Sequence, residues 1–418
     1  VNYTAKIESA SLKDSSGLYE LKIALIGSCQ SEKPNSKLKG KSTTIDRAFS
    51  IIAPPPAAGD LVVLSKAESE LVRKTILAGE LPERPAVGEA IAQVGDFDSD
   101  SKKEVFLANS VLSLSVLPNR GGLIPKIATS KGAPVLDEFF QSGLRGTFEA
   151  GIGILSEGEF NPGKADFKAI RKSSGKRAKA CMKAKIAGVA IKQTVALTAD
   201  SQIIELDFEF VNDDKKAKKL DFSPQFKMHF LPLGEKHSGI RAIDSSGETH
   251  PYFLPESVPP WAWHEDWVPD YGDIAMGEAS FVAVENLEAG GGLVFVFDRK
   301  SVSRIWAQSL AILPNLRLFG KKLTMKKGDS AKIGLKIVAL DGLAVSKGTL
   351  LGWTACEDGL LVSVIGRHPE KLVANVAGAS FGVALKSFSD EIAVAKLAKD
   401  VSSIEIPESG LKIEVKNV

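Results

Sequence analysis

Two stretches of this chain alternate without a break. In "SVLSLSVLP", Leu112, Leu114 and Val116 stand at every second position, with Ser113 and Ser115 between them. In "QIIELDFEFVN", Ile204, Leu206, Phe208 and Phe210 alternate with Glu205, Asp207 and Glu209. A period of two puts neighbouring side chains on opposite faces of an extended strand, one apolar and one wet. That is the pattern of antiparallel sheets packed on one side. Further strand signals lie at "YELKIALIG", "GGLVFVFD", "AKIGLKIVAL" and "GLLVSVIG", separated by polar turns at "KDSSG", "TADS", "NDDKK" and "KKGD". One helix signal covers 65–79, with a serine at its start, acids in its first turns and a glycine at its end. Many strands and one helix argue for sandwiches or barrels over a parallel α/β fold.

The 418 residues are enough for two or three domains. Residues 1–55 read as a small β domain ending at the stiff, polyproline-like "APPPAAG". Residues 56–92 form a linker that carries the helix. Residues 93–343 form a large β domain. Residues 344–418 alternate again and read as a small β-sandwich, or as extra strands packed on the main body. The expected class is mostly β: a central antiparallel β-supersandwich flanked by small β-sandwich-like units.

A net charge of +2 gives no global field to attract nucleic acid or anionic lipid, so neither is an expected partner. No apolar run is long enough to span a bilayer. The chain begins at Val1 without a charged-then-apolar leader, as a processed secretory protein or a shortened chain would. Cys29, Cys181 and Cys356 lie far apart, which fits neither a disulfide framework nor a zinc site. Three buried free thiols are expected.

The stretch "LANSVLSLSVLPNRGGLIPKIATSKG" sets two apolar strands around Gly121-Gly122, a pair that lets the backbone turn tightly. It resembles the opening hairpin of the galactose mutarotase-like family, whose fold is the β-supersandwich. "IKQTVALTADSQIIELDFEFVND" is similar to that family's central pair of long strands. "SPQFKMHFLPLG" resembles the strand that often carries a histidine in the sugar cleft. "LPNLRLFGKKLTMKKGDSAKIGLKIVALDG" resembles its closing strands. The resemblance covers about residues 100–342. It implies a broad concave sheet that holds a carbohydrate, but not a reaction, because the fold hosts epimerases, lyase and hydrolase domains and non-enzymes.

Within that frame the segment 261–273, "WAWHEDWVPDYGD", holds three of the five tryptophans and one of the four tyrosines. Flat rings stack on the C–H face of a sugar, while carboxylates and histidine hydrogen-bond its hydroxyl rim. Trp261, Trp263, Trp267 and Tyr271 are therefore candidate sugar contacts, beside His264, Glu265, Asp266 and Asp270. The alternative is that the rings plug a sheet edge or a domain interface. The resemblance adds His229 as a ligand candidate, on the strand face opposite Phe226, Met228 and Phe230, and Arg145 with Glu149 among glycines. His229, His264, Glu265 and Asp270 are the candidate catalytic groups. The family's late glutamate has no counterpart, since 304–320 contains neither aspartate nor glutamate, which argues against a standard mutarotase.

"GDFDSDSKKE" spaces Asp96, Asp98, Asp100 and Glu104 as the oxygen ligands of a structural Ca2+ would be spaced. A solvated acidic turn is the alternative. Calcium is plentiful outside cells, so this loop favours a secreted or periplasmic protein. Three functional readings follow: a carbohydrate-binding or carbohydrate-active protein, a non-catalytic structural or adhesion module, and an aldose 1-epimerase-like isomerase. No organic cofactor is expected.

Overall fold

Both alternating stretches are strands, Leu112–Leu117 and Ile203–Asn212, and every position that the alternation assigns to the core is buried. They come from a computed structural model that describes residues 19–22, 48–51, 83–97, 102–130, 134–136, 151–156, 160–213, 220–229, 240–252, 270–274, 276, 280–286, 291–310, 313–367 and 369–415. The chain divides into two compact units, Val1–Ala78 and Gly79–Val418. In the first, Tyr19–Lys22 pairs antiparallel with Ala48–Ile51. The helix expected at 65–79 lies outside the described residues.

The described residues of the second unit form four large antiparallel sheets, of ten, nine, five and four strands, and a small two-stranded one, Leu220–Phe222 with Leu323–Met325. The central sandwich joins the first two. Leu114, Ile124, Ile127, Met228 and Leu316 of the ten-stranded sheet share one core with Ile191, Leu206, Phe208, Phe210 and Phe295 of the nine-stranded sheet. Full burial of each such side chain contributes about 1.5–3 kcal/mol relative to leaving it in water, and this core is the largest in the unit.

The strand Ser330–Leu340 is wet at its start and buried on both faces at its end. The reason is the third layer. Val338, Leu340, Val294 and Val296 pack on Leu350, Ile365 and Ile392 of the five-stranded sheet. The other face of that sheet turns Leu351, Trp353, Val362 and Val364 toward Leu372, Ala374, Ile404 and Ile406 of the four-stranded sheet. The C-terminal stretch thus has a core of its own and also packs on the main body. Buried polar links cross the first of these seams. Gln202 Nε2 donates to Ser363 Oγ at 2.8 Å, and Thr354 Oγ1 donates to the Ala339 carbonyl at 2.7 Å.

The glycine pair behaves as its sequence requires. Gly121 and Gly122 have φ of 68° and 67°, closing the turn between Leu112–Leu117 and Leu123–Thr129. A β-carbon on Gly122 would fall 1.5 Å from Gln193 Oε1. The "KKGD" turn also forms: the Lys326 N–H donates to Asp329 Oδ2 at 2.7 Å, and the Asp329 N–H to the Lys326 carbonyl at 3.0 Å. The expectation of buried thiols needs correcting. Cys181 and Cys356 are free but only half-buried, because both sit at strand positions flanked by charged side chains. Cys29 lies outside the described residues.

Candidate functional site

Four neighbouring strands of the ten-stranded sheet, Asp270–Ile274, Val302–Leu310, Leu313–Gly320 and Gln225–His229, have sharply unequal faces. On one face Phe226, Met228, Ile305, Ala307, Leu316 and Leu318 are buried in the sandwich core. The alternate positions belong to the other face. There the residues are Arg304, Trp306 and Gln308 on one strand, Asn315, Arg317 and Phe319 on the next, then Gln225, Lys227 and His229.

Strand register orders these positions into rows. One row reads Asp270, Gln308, Asn315, His229 and Gly151. The next reads Asp273, Trp306, Arg317, Lys227 and Gly153. Asp270 and Asp273 are three residues apart, yet they face Gln308 and Trp306, which are two apart. A β-bulge between Asp270 and Gly272 makes this possible, with Tyr271 as the extra residue. Bulges of this kind occur beside active sites, where they re-aim a side chain.

Aromatic rings and cations alternate across the strands. The Arg317 guanidinium carbon lies 5.3 Å from the ring centroid of Trp306, and that of Arg304 lies 4.0 Å from Phe319. Arg304 Nε also pairs with Asp273 Oδ1 at 3.5 Å. Both partners of that pair are well exposed, so it contributes at most about 1 kcal/mol. Such a pair is cheap to rearrange around a ligand. The face therefore offers stacking surfaces, guanidinium donors and a carboxylate within one patch.

Of the residues expected from the sequence, this sheet brings two together. His229 and Asp270 fall in the same row, at its two sides. Tyr271 lies at the bulge beside them. Arg145, Glu149, Trp261, Trp263, His264, Glu265, Asp266 and Trp267 lie outside the described residues. The sequence reading does not single out Arg304, Trp306, Gln308, Asn315, Arg317 or Asp273. The signal was present in "RIWAQ" and "NLRLF", where every second residue is polar or aromatic.

The acidic stretch joins Ala90–Gly95 to its antiparallel partner Glu104–Asn109 in the chain. Glu104 is buried and its Oε2 accepts from the Phe97 N–H at 2.6 Å, while Asp96 is exposed. Asp98 and Asp100 lie outside the described residues. Among the described residues, no three or more His, Cys, Asp or Glu side chains are grouped to hold a metal ion. No helix of the described residues is long and apolar enough to cross a membrane.

A second cleft, of about 290 Å3, opens on the outer face of the nine-stranded sheet. Two ion pairs line it. Lys332 Nζ lies 3.3 Å from Asp207 Oδ2, and Lys336 Nζ lies 3.9 Å from Glu391 Oε2. A ligand there would have to displace these pairs.

No known protein-family profile matches this chain, and no curated protein matches it. Galactose mutarotase-like proteins and aldose 1-epimerases recur among the solved structures that resemble it. A galactose mutarotase-like protein from Clostridium acetobutylicum is 11% identical, with a TM-score of 0.42 over 60% of this chain and 98% of the other. For an aldose 1-epimerase-like protein of Klebsiella pneumoniae the identity is 12% and the TM-score 0.42, over 60% of this chain and 82% of the other. A TPR-domain containing protein from Parabacteroides distasonis is 12% identical with a TM-score of 0.41, over 57% of this chain and less than half, 47%, of the other. Likenesses this weak support no inference about activity, and the architecture described above rests on strand order and register.

Proposed function

We propose that the polar face of the ten-stranded sheet binds a carbohydrate. The observation that carries this reading is the strand register, which sets Trp306 and Phe319 among Arg304, Arg317 and Asp273 on the side opposite the core. A pyranose has a C–H face that stacks on an indole and a rim of hydroxyls that takes amides, guanidinium groups and carboxylates. The sequence resemblance of 100–342 to galactose mutarotase-like proteins agrees with this reading. In the chain, Trp267 lies three residues before Asp270.

An aldose epimerase on the same face would need an acid and a base flanking the anomeric carbon. His229 and Asp270 share a row, with Asn315 and Gln308 between them. Three strand spacings separate their backbones by about 14 Å, a gap wide enough for a sugar ring. The amides between them exchange no proton at neutral pH. His229 and Asp270 are the pair that would carry turnover in this row, and substituting either should abolish any acceleration of mutarotation while leaving the fold intact. No acceleration over buffer across a panel of hexoses would remove the epimerase and leave binding.

We also propose that the 96–104 turn takes a structural Ca2+, from the spacing of its carboxylates. The melting temperature would then be higher in calcium than in chelator; identical melts would overturn it. The test of sugar binding is a titration of intrinsic tryptophan fluorescence with neutral and acidic oligosaccharides, run beside Trp306→Ala. Saturation lost in the variant supports the site. A flat response to every sugar favours a non-catalytic interaction module.

A further inference from the structure

The four-stranded sheet ends in the strand Ala379–Ala384, "ASFGVA", paired on one side with Lys371–Val376. Among the described residues no strand pairs with its other side. A bare edge invites another strand, and natural sheets guard their edges with charge, proline or cover. Among the described residues, the other outer edges of the four large sheets are guarded. Leu411–Glu414 carries Lys412 and Glu414, Ala169–Ser173 carries Arg171 and Lys172, and Thr249–Tyr252 carries Pro251. Ala90 is bridged to Gly175, Asp270–Ile274 carries two acids, Lys386–Ser389 begins with a lysine, and Gly342–Ser346 has Leu411–Glu414 against it. Ala379–Ala384 has no such device.

The strand is also amphipathic and incompletely covered. Phe381 and Val383 lie opposite Ala374 and Leu372, two residues of the buried core, so they belong to the core side of the sheet. Even so, Phe381 is 54% exposed, the most open large apolar side chain among the described residues. On the other face Ser380 Oγ donates to Asn375 Oδ1 at 2.6 Å, and Asn375 Nδ2 to Ser403 Oγ at 2.9 Å, a wet polar ladder.

We propose that this edge pairs antiparallel with the same strand of a second copy of the chain, joining two four-stranded sheets into one. The strand is complementary to itself. With the two-fold axis at Gly382, Phe381 of each copy stands opposite Val383 of the other. This gives two aromatic–β-branched pairs of the kind that stabilise sheets. The axis is normal to the sheet, so both apolar sides stay on the core side. At the axis Gly382 meets Gly382, and a β-carbon there would touch nothing within 4 Å. Residues 379–385 contain no charge, so no like charges oppose one another. The contact is isologous and closes on itself, consuming both edges without propagating.

The test is sedimentation of the full 418-residue chain over a range of concentrations. The wild type should approach twice the 44.5 kDa chain mass as concentration rises. Gly382→Lys sets two ammonium groups against each other at the axis and should weaken dimerisation by about tenfold or more. Because the position is open, the melting temperature should be unchanged at concentrations where both proteins are monomeric. Gly382→Glu should behave alike, and an equimolar mixture of the two variants should restore the dimer. A wild type that stays monomeric throughout overturns the proposal. So does a Gly382→Lys variant that dimerises like the wild type, or a mixture that fails to reassociate.

Discussion

Arg317 lies against Trp306 across one register row, its guanidinium carbon 5.3 Å from the ring centroid. The stack fixes a planar cation and a flat ring side by side before any ligand arrives. Neither side chain then has to lose its rotamer freedom on binding. A lysine at 317 would keep the charge and lose the planar fork. A double-mutant cycle of Arg317→Ala and Trp306→Ala, read in thermal or denaturant unfolding, should return a coupling of about 0.5–1 kcal/mol. Additive effects would mean that the two groups ignore each other.

The glycine turn gives a sharper stability prediction. Gly122 has φ of 67°, and a β-carbon there would fall 1.5 Å from Gln193 Oε1. Gln193 Nε2 also donates to the Gly122 carbonyl at 2.7 Å. Gly122→Ala should therefore destabilise the protein by more than about 2 kcal/mol, combining left-handed backbone strain with displacement of a buried amide. Adding Gln193→Ala should relieve the clash but not the backbone strain. Denaturant midpoints of the two variants would separate the contributions.

Those glycines, and the alternation around Leu112–Leu117 and Ile203–Asn212, were legible in the sequence because local geometry dictates them. The site was less legible. Attention falls on "WAWHEDW" because aromatic residues are crowded there, whereas Trp306, Arg317 and Arg304 are dispersed along two strands. Only strand pairing brings them together, and register between strands is not written in either strand alone. His229 and Asp270 were accessible from sequence one at a time; their shared row was not. The bulge at Tyr271 is likewise a property of pairing and not of composition.

The seam between the nine- and five-stranded sheets depends on a buried hydrogen bond. Gln202 Nε2 donates to Ser363 Oγ at 2.8 Å, with both residues essentially inaccessible. Ser363→Ala should cost about 1–3 kcal/mol, because it strands an amide donor away from water. Replacing both partners with apolar residues should cost less than the single change. A larger loss in the double variant would contradict this account.

Acid sensitivity should include a term from Glu209. Its side-chain hydrogen bond to Lys192, and then the charge of that lysine, hold the carboxyl below its usual range. A depressed carboxyl stabilises the fold at pH above its unfolded value, about 4.3, and that contribution is lost as pH falls through the folded value. Lys192 is raised by the same hydrogen bond and charge, so its share persists until pH rises above the ordinary lysine range. Both side chains are 42% exposed, which keeps the effect small. Glu209→Gln should flatten the acid limb of a melting-temperature profile. An unchanged acid limb would show that the pair contributes nothing.

The claim that this polar face binds carbohydrate is tested most directly by titrating tryptophan fluorescence with an oligosaccharide panel, for the wild type and for Trp306→Ala. The account predicts a saturable change for at least one sugar in the wild type. In the variant, with its fold intact by circular dichroism, affinity should fall by about tenfold or more, as expected when a stacking aromatic worth about 1.5 kcal/mol is removed. A saturable response of equal affinity in Trp306→Ala, or none in the wild type with any sugar, would contradict it.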